Sequence, residues 1–502
     1  MILLSVIYMV IVTTKFGKLE GNQESNYQSF LGIPFAKPPL GNLRFKGPQA
    51  LDIWDGVKDA TKFGPIAFQG YEDTTPLNHK ESENCLYLNV WTPSADDKKR
   101  PVMLWVHGGG FVIGGSTRDR INGAKLASYG DVVVVNFNYR LGALGFLDLP
   151  NVTPNIGILD QIAALKWVRD NIKVFGGDPD NITIFGESSG GESVAILLSI
   201  PESRDLMNKA IIESGVANPI SFSGENSRKG AEELLEKLRI NENIIQALQE
   251  VPIKKLIRIQ KKISGTIFDE KINPFRPFID GDVIPDQPIE LIRQGKAAKI
   301  PMILGWNEDE IGIVFPFFKQ ATDDAKKSLI NIFKSMLNHH GVNEEKFNQL
   351  RKTYDSVGLN TQVNEFKFWS TILSDSMFRV PTIRQMEAHL KNQSNIYNYI
   401  FSYESLVSGT AFHTLEIPFI FGQINLDEYN ESLKRDENSE RLSKMIMDTW
   451  LAFAKTGNPN HKGLPNWSFY DIDKRNTMIL GILPKLEQDP MSETRKAWNE
   501  IL

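Results

Sequence analysis

The sequence predicts an α/β fold: a large, mostly parallel central sheet flanked by helices, with helical insertions. Three observations predict it. Pro101–Val106 and Asp131–Phe137 are apolar runs of the kind buried on both faces of a parallel sheet. Asp160–Arg169 follows them with apolar residues at helical spacing. Asn181–Leu198 reads as a β-branched strand, a sharp glycine-flanked turn and a helix.

The elements follow in order. Met1–Val12 is apolar but lacks the basic start and small-residue cleavage site of a signal peptide, and is too short to span a bilayer. Val10–Lys15 predicts a first strand that turns at Phe16-Gly17-Lys18, leaving residues 1–9 as an extension. Leu86–Trp91 alternates and ends at Thr92-Pro93, so it predicts a strand, as does Ala210–Ser214. Residues 226–263 are amphipathic and helical; their basic run, Lys254–Lys262, reads as a solvated helix face. Pro301–Trp306 and Ile396–Phe401 predict late strands, residues 322–395 are mostly helical, and Lys444–Ala454 predicts a helix. No repeat, low-complexity tract or linker divides the chain. The expectation is one domain over residues 10–490 and a C-terminal tail over 491–502.

Composition excludes several classes. Fifty-six Lys and Arg against 61 Asp and Glu give a net charge of −5, which offers no basic field to nucleic acid. No segment has the uninterrupted apolar length of a membrane helix, so no stable membrane insertion is expected. The single cysteine, Cys85, excludes an intrachain disulfide and fits a reducing, cytoplasmic setting. No His/Cys/Asp cluster has ligand spacing, so no metal and no cofactor are expected.

The chemistry centres on Gly186-Glu187-Ser188-Ser189-Gly190, the G-x-S-x-G pattern between a strand and a helix. Such a turn lifts the serine hydroxyl above the sheet, and a side chain at either glycine would clash where strand and helix pack. A serine needs a base, and histidine titrates near neutrality. Of seven histidines, His79, His339, His340 and His461 lie in polar stretches, His389 falls on a charged helix, and His107 sits where its backbone matters more than its ring. His413 remains. It follows a loop of small residues after the last well-defined strand, where the order nucleophile, acid, histidine requires the base. The acid should follow the 301–306 strand; Glu308, Asp309 and Glu310 all qualify, and spacing does not choose among them. Glu187 and Glu192, beside the serine, are not needed for the triad. His107-Gly-Gly-Gly110-Phe111 after a buried strand supplies main-chain N–H donors for an oxyanion, together with the N–H of Ser189.

Taken jointly, these motifs resemble the type-B carboxylesterase family, which includes cholinesterases and bacterial para-nitrobenzyl esterases. The likeness runs from about Val12 to about residue 490. It is carried by Gly32-Ile-Pro-Phe-Ala-Lys-Pro-Pro, Glu83-Asn-Cys-Leu-Tyr-Leu-Asn-Val, His107-Gly-Gly-Gly-Phe, Asn138-Tyr-Arg-Leu-Gly, Phe185-Gly-Glu-Ser-Ser-Gly-Gly, Phe412-His-Thr-Leu-Glu-Ile-Pro-Phe and Ala454-Lys-Thr-Gly-Asn-Pro. The resemblance implies an α/β-hydrolase fold and a serine esterase acting on small-molecule esters. It maps the acid to Glu310, the oxyanion donors to Gly109, Gly110 and Ser189, and a supporting role behind the acid–histidine pair to Ser214.

Four positions depart from the family pattern. Ser189 replaces the usual alanine, and Cys85 lacks its disulfide partner in 64–69. Asn84 replaces an aspartate, and Ile311 intrudes in the acid loop. Phe111 is a candidate pocket residue, with Trp105, Trp306 and Phe412 also flanking the motifs. Two other activities share this machinery or fold: an amidase, thioesterase or carbamate hydrolase with the same triad, and a non-catalytic binding protein, whose triad would normally be incomplete.

Overall fold

The structure, a computed structural model, describes residues 9–70, 80–216, 224–264 and 273–501. Thirteen strands of the described residues form one sheet. Its order is Met9–Thr13, Lys18–Gln23, Gln28–Pro34, Tyr87–Thr92, Val133–Phe137, Arg100–Val106, Gly177–Glu187, Lys209–Glu213, Met302–Asn307, Ile396–Phe401, Asn476–Leu480, Lys485–Gln488, with Val57–Asp59 beside Lys18–Gln23. From Val133–Phe137 through to Asn476–Leu480 every neighbouring pair is parallel, and antiparallel strands finish both edges.

Burial on both faces explains the unbroken apolar runs. Along Arg100–Val106, Val102, Leu104 and Val106 enter one core with Ile182, Ile184, Val133 and Val135. The alternate residues Met103 and Trp105 enter the opposite core with Val134 and Phe185. The pleat's period of two thus sorts one apolar strand onto two helical layers.

The predicted first strand is Met9–Thr13, hairpinned to Lys18–Gln23. The helix expected at 160–169 extends over Ile156–Asn171, and that at 444–454 over Glu437–Thr456, where Asp436 closes a capping box and Gly457 ends the helix with φ 77°. Residues 226–263 divide into Gly224–Leu238, Ile244–Glu250 and Ile253–Ser264; Lys254, Lys255, Arg258 and Lys262 are exposed, as a solvated face requires.

Within the stretch expected as a C-terminal tail, Ser492–Ile501 is a helix whose Trp498 is completely buried in a third core. That core also holds Phe333, Leu337, Leu350 and Trp369 from the helical insertion, and Trp498 Nε1 donates to the Tyr354 hydroxyl at 2.8 Å. The Lys485–Gln488 strand lacks a sequence signature because it is a half-exposed, polar edge.

Candidate active site

Ser188 stands between the Gly177–Glu187 strand and the helix Ser189–Ser199, at φ 58° and ψ −128°. This backbone is strained for a non-glycine residue, as a serine lifted off a strand end must be. The turn is closed by Ser188 N–H donating to Glu213 O at 2.9 Å and Glu192 N–H donating to Ser188 O at 2.9 Å. Both glycines are obligatory. A Cβ on Gly190 would lie 2.1 Å from Val106 O, and one on Gly186 would lie 2.7 Å from Gly190 C.

His413 and Glu310 come together although 103 residues separate them: His413 Nδ1 lies 2.7 Å from Glu310 Oε2. Glu310 is fully buried, and its other oxygen accepts from Ser214 Oγ at 2.5 Å and from Asn307 N–H at 2.7 Å. The backbone N–H of His413 donates to Glu310 O at 3.1 Å, locking the two loops together. The three acids that spacing left open are separated by their surroundings. Glu308 is exposed and accepts from Ser402, whereas Asp309 is tied to Lys367 Nζ at 2.9 Å and to Ser370. Only Glu310 of the three bonds the imidazole. Ile311 turns away into the core of the helical insertion, its N–H held by Ser374 Oγ.

The loop after Arg100–Val106 bends through Gly109 at φ 118°, Gly110 at φ 61° and Phe111 at φ 63°. Among the described residues, the N–H groups of Gly109, Gly110 and Ser189 have no acceptor, while Gly109 O takes those of Val112 and Ile113. Three unspent donors flank the serine, as an oxyanion site needs. Asn273 Nδ2 braces the loop at Gly110 O, 3.3 Å away. The Ser189 hydroxyl is buried without an aligned partner, close to the Tyr139 hydroxyl.

The electrostatics add residues that the sequence reading set aside. Glu187 Oε1 lies 3.1 Å from His413 Nε2, at an angle too oblique for a hydrogen bond. Glu416 accepts from Asn307 Nδ2 at 2.6 Å, and Glu213 accepts from Trp450 Nε1 at 2.8 Å. Burial opposes charge on His413, but Glu187, Glu310 and Glu416 together outweigh it and push the imidazole up to about 9. Burial also raises the carboxyls of Glu187, Glu416 and, most of all, Glu213. Four buried carboxyls and one imidazole therefore share fewer charges than their number suggests. The only sequence signals for this cluster were the position of Glu187 beside the serine and of Glu416 three residues after the histidine. Glu192, by contrast, is taken by Arg276, which reaches both its oxygens at 2.8 Å.

Other candidates fall elsewhere. His389 and His107 are buried and held neutral by burial, both at about 4. His461 is bonded to Thr449 at 2.9 Å, and His340 is half-buried rather than exposed. His79 lies outside the described residues. Phe111, the candidate pocket residue, is completely buried and meets Phe146 edge-on at 5.3 Å, so its ring belongs to the core; Trp105 and Trp306 are likewise core. Among the described residues, no group of three or more His, Cys, Asp or Glu is arranged to hold a metal ion, and no helix is long and apolar enough to cross a membrane.

Comparison with known proteins points the same way. Residues 9–498 match the model of the Carboxylesterase family. The chain is 36% identical to the para-nitrobenzyl esterase of Bacillus subtilis, over 97% of this chain and 98% of that one. It is 34% identical to liver carboxylesterase 1 of Oryctolagus cuniculus, over 98% and 92%. A solved carboxylesterase of Geobacillus stearothermophilus superposes with a TM-score of 0.86 at 34% identity, covering 97% of this chain and 99% of that chain.

Proposed function

Since the chain belongs to the carboxylesterase family and is a carboxylic ester hydrolase, we propose that Ser188, His413 and Glu310 hydrolyse small-molecule esters through an acyl-enzyme. His413 Nε2 takes the Ser188 proton as Oγ attacks the ester carbonyl. The N–H groups of Gly109, Gly110 and Ser189 receive the charge that develops on the carbonyl oxygen. His413 then protonates the departing alcohol, and water repeats the sequence to release the acid. Glu310 holds Nδ1–H and steadies the imidazolium without taking its proton. Ser214 and Asn307 keep that carboxylate aimed.

The observation that carries this reading is the chain of contacts Ser214–Glu310–His413, at 2.5 and 2.7 Å, which ends at an imidazole 3.1 Å from Glu187, the residue before a serine whose backbone is strained. The lone, buried Cys85 favours a reducing, cytoplasmic setting. Ser188→Ala tests the assignment: hydrolysis of p-nitrophenyl acetate should fall by several orders of magnitude, and organophosphate labelling should disappear. Native rates in that variant would end it.

A further inference from the structure

Behind the oxyanion loop lies a small cavity of about 20 Å³ that opens to solvent. Trp105, His107, Arg118, Arg120, Glu187 and Ile417 are among its walls. Neither arginine forms an ion pair with a described carboxylate, although both are partly buried. Asp119 and Glu428, the acids nearby in sequence or field, are exposed. Trp105 Nε1 and His107 Nε2 are buried without partners. His107 Nδ1–H goes to Gly108 O at 2.9 Å, so Nε2 is an acceptor and Trp105 Nε1 a donor.

We propose that this cavity binds a carboxylate or phosphate group. Two guanidinium groups with no ion-pair partner among the described carboxylates, Arg120 meeting only the Tyr429 hydroxyl and the field of Glu187, are costly to keep partly buried, and an anion bound bidentately offsets that cost. The indole N–H adds a third donor. Glu187 supplies the one negative wall, and its charge is already directed at His413, 3.1 Å away. Glu187 borders both the cavity and His413 Nε2, which protonates the departing oxygen, so an anion borne by the substrate reaches the cavity from the alcohol half. This placement rests on the role proposed above for His413. The anion is either borne by the alcohol half of the substrate or is free in solution.

The test compares 3-acetoxybenzoate with its neutral counterpart 3-acetoxybenzamide, and adds inorganic phosphate or 3-hydroxybenzoate in thermal-shift measurements. The wild-type kcat/KM ratio should favour the anionic ester by about tenfold, one charge-assisted contact's worth. Arg118→Met and Arg120→Met should each erase about tenfold of that ratio, and the lysine variants should restore part of it. An arginine-dependent thermal shift with free anions, with no ester preference, assigns the site to a free ligand. A ratio near one together with no arginine-dependent shift overturns the proposal. Ser188→Ala separates the two readings, because its thermal shift reports the cavity even when no ester is turned over. Without anion, Arg118→Met should melt no lower than wild type, since no ion pair is lost.

Discussion

The carboxylate beside the imidazole proposed as the base gives the sharpest prediction. Glu187→Gln removes a charge 3.1 Å from His413 Nε2 while keeping the side chain's shape. At that distance, with an effective dielectric constant of about 20, two full charges interact by about 5 kcal/mol. Burial raises the Glu187 carboxyl, so it is only partly ionised near neutrality and delivers a fraction of this. The expected drop in the imidazole's pKa is about one to two units, each unit being about 1.4 kcal/mol. His413 must be neutral to act as base, so activity is lost as pH falls through its pKa. Three carboxylates hold that pKa above its ordinary value, and removing one moves the acid limb of kcat/KM to lower pH. The assay is the pH profile of kcat/KM on a neutral p-nitrophenyl ester between pH 5 and 10, in wild type and variant. An acid limb that stays in place, or moves upward, would mean that Glu187 carries no charge beside His413.

Ser214→Ala breaks a bond to the buried Glu310 carboxylate, costing about 1.5–3 kcal/mol; kcat/KM should fall about tenfold or more while circular dichroism is unchanged. Gly190→Ala forces a Cβ to 2.1 Å from Val106 O, and soluble yield and Tm should collapse by an amount equivalent to more than about 4 kcal/mol. Glu213→Gln keeps an acceptor for Trp450 and substitutes for a carboxyl that burial holds protonated. A raised folded-state pKa stabilises the fold at low pH and loses that contribution as pH rises through it. Tm should therefore match wild type below the ordinary carboxyl value of 4.5 and exceed it by a growing margin as pH rises above that value.

What could be read from sequence followed from how each residue earns its pattern. Val133–Phe137 announces itself because both its faces are buried, and the serine turn because its glycines meet backbone on two sides. The choice among Glu308, Asp309 and Glu310 has no local signal. It is made by Lys367 drawing off Asp309 and by solvent drawing off Glu308, both decided far along the chain. Glu187 and Glu192 look alike in sequence, but the end of the strand aims one at His413 and the helix turns the other to Arg276. The terminal helix was legible in principle: Thr494, Trp498 and Ile501 share one face at helical spacing. Its charged neighbours masked it.

That helix has a consequence for when the enzyme becomes complete. Trp498 holds the Tyr354 hydroxyl, which donates to Asp375, and Asp375 grips Arg379 at 2.5 Å. Between those two residues, Phe378 stands against the His413 ring, 5.0 Å from centre to centre. The wall behind the imidazole is thus assembled from residues 354–379 but braced by residues 492–501. During synthesis the serine, the acid and the histidine all leave the ribosome before that brace does. A nascent chain stalled after residue 480 would hold all three residues of the proposed triad, yet lack the support that sets its histidine in place.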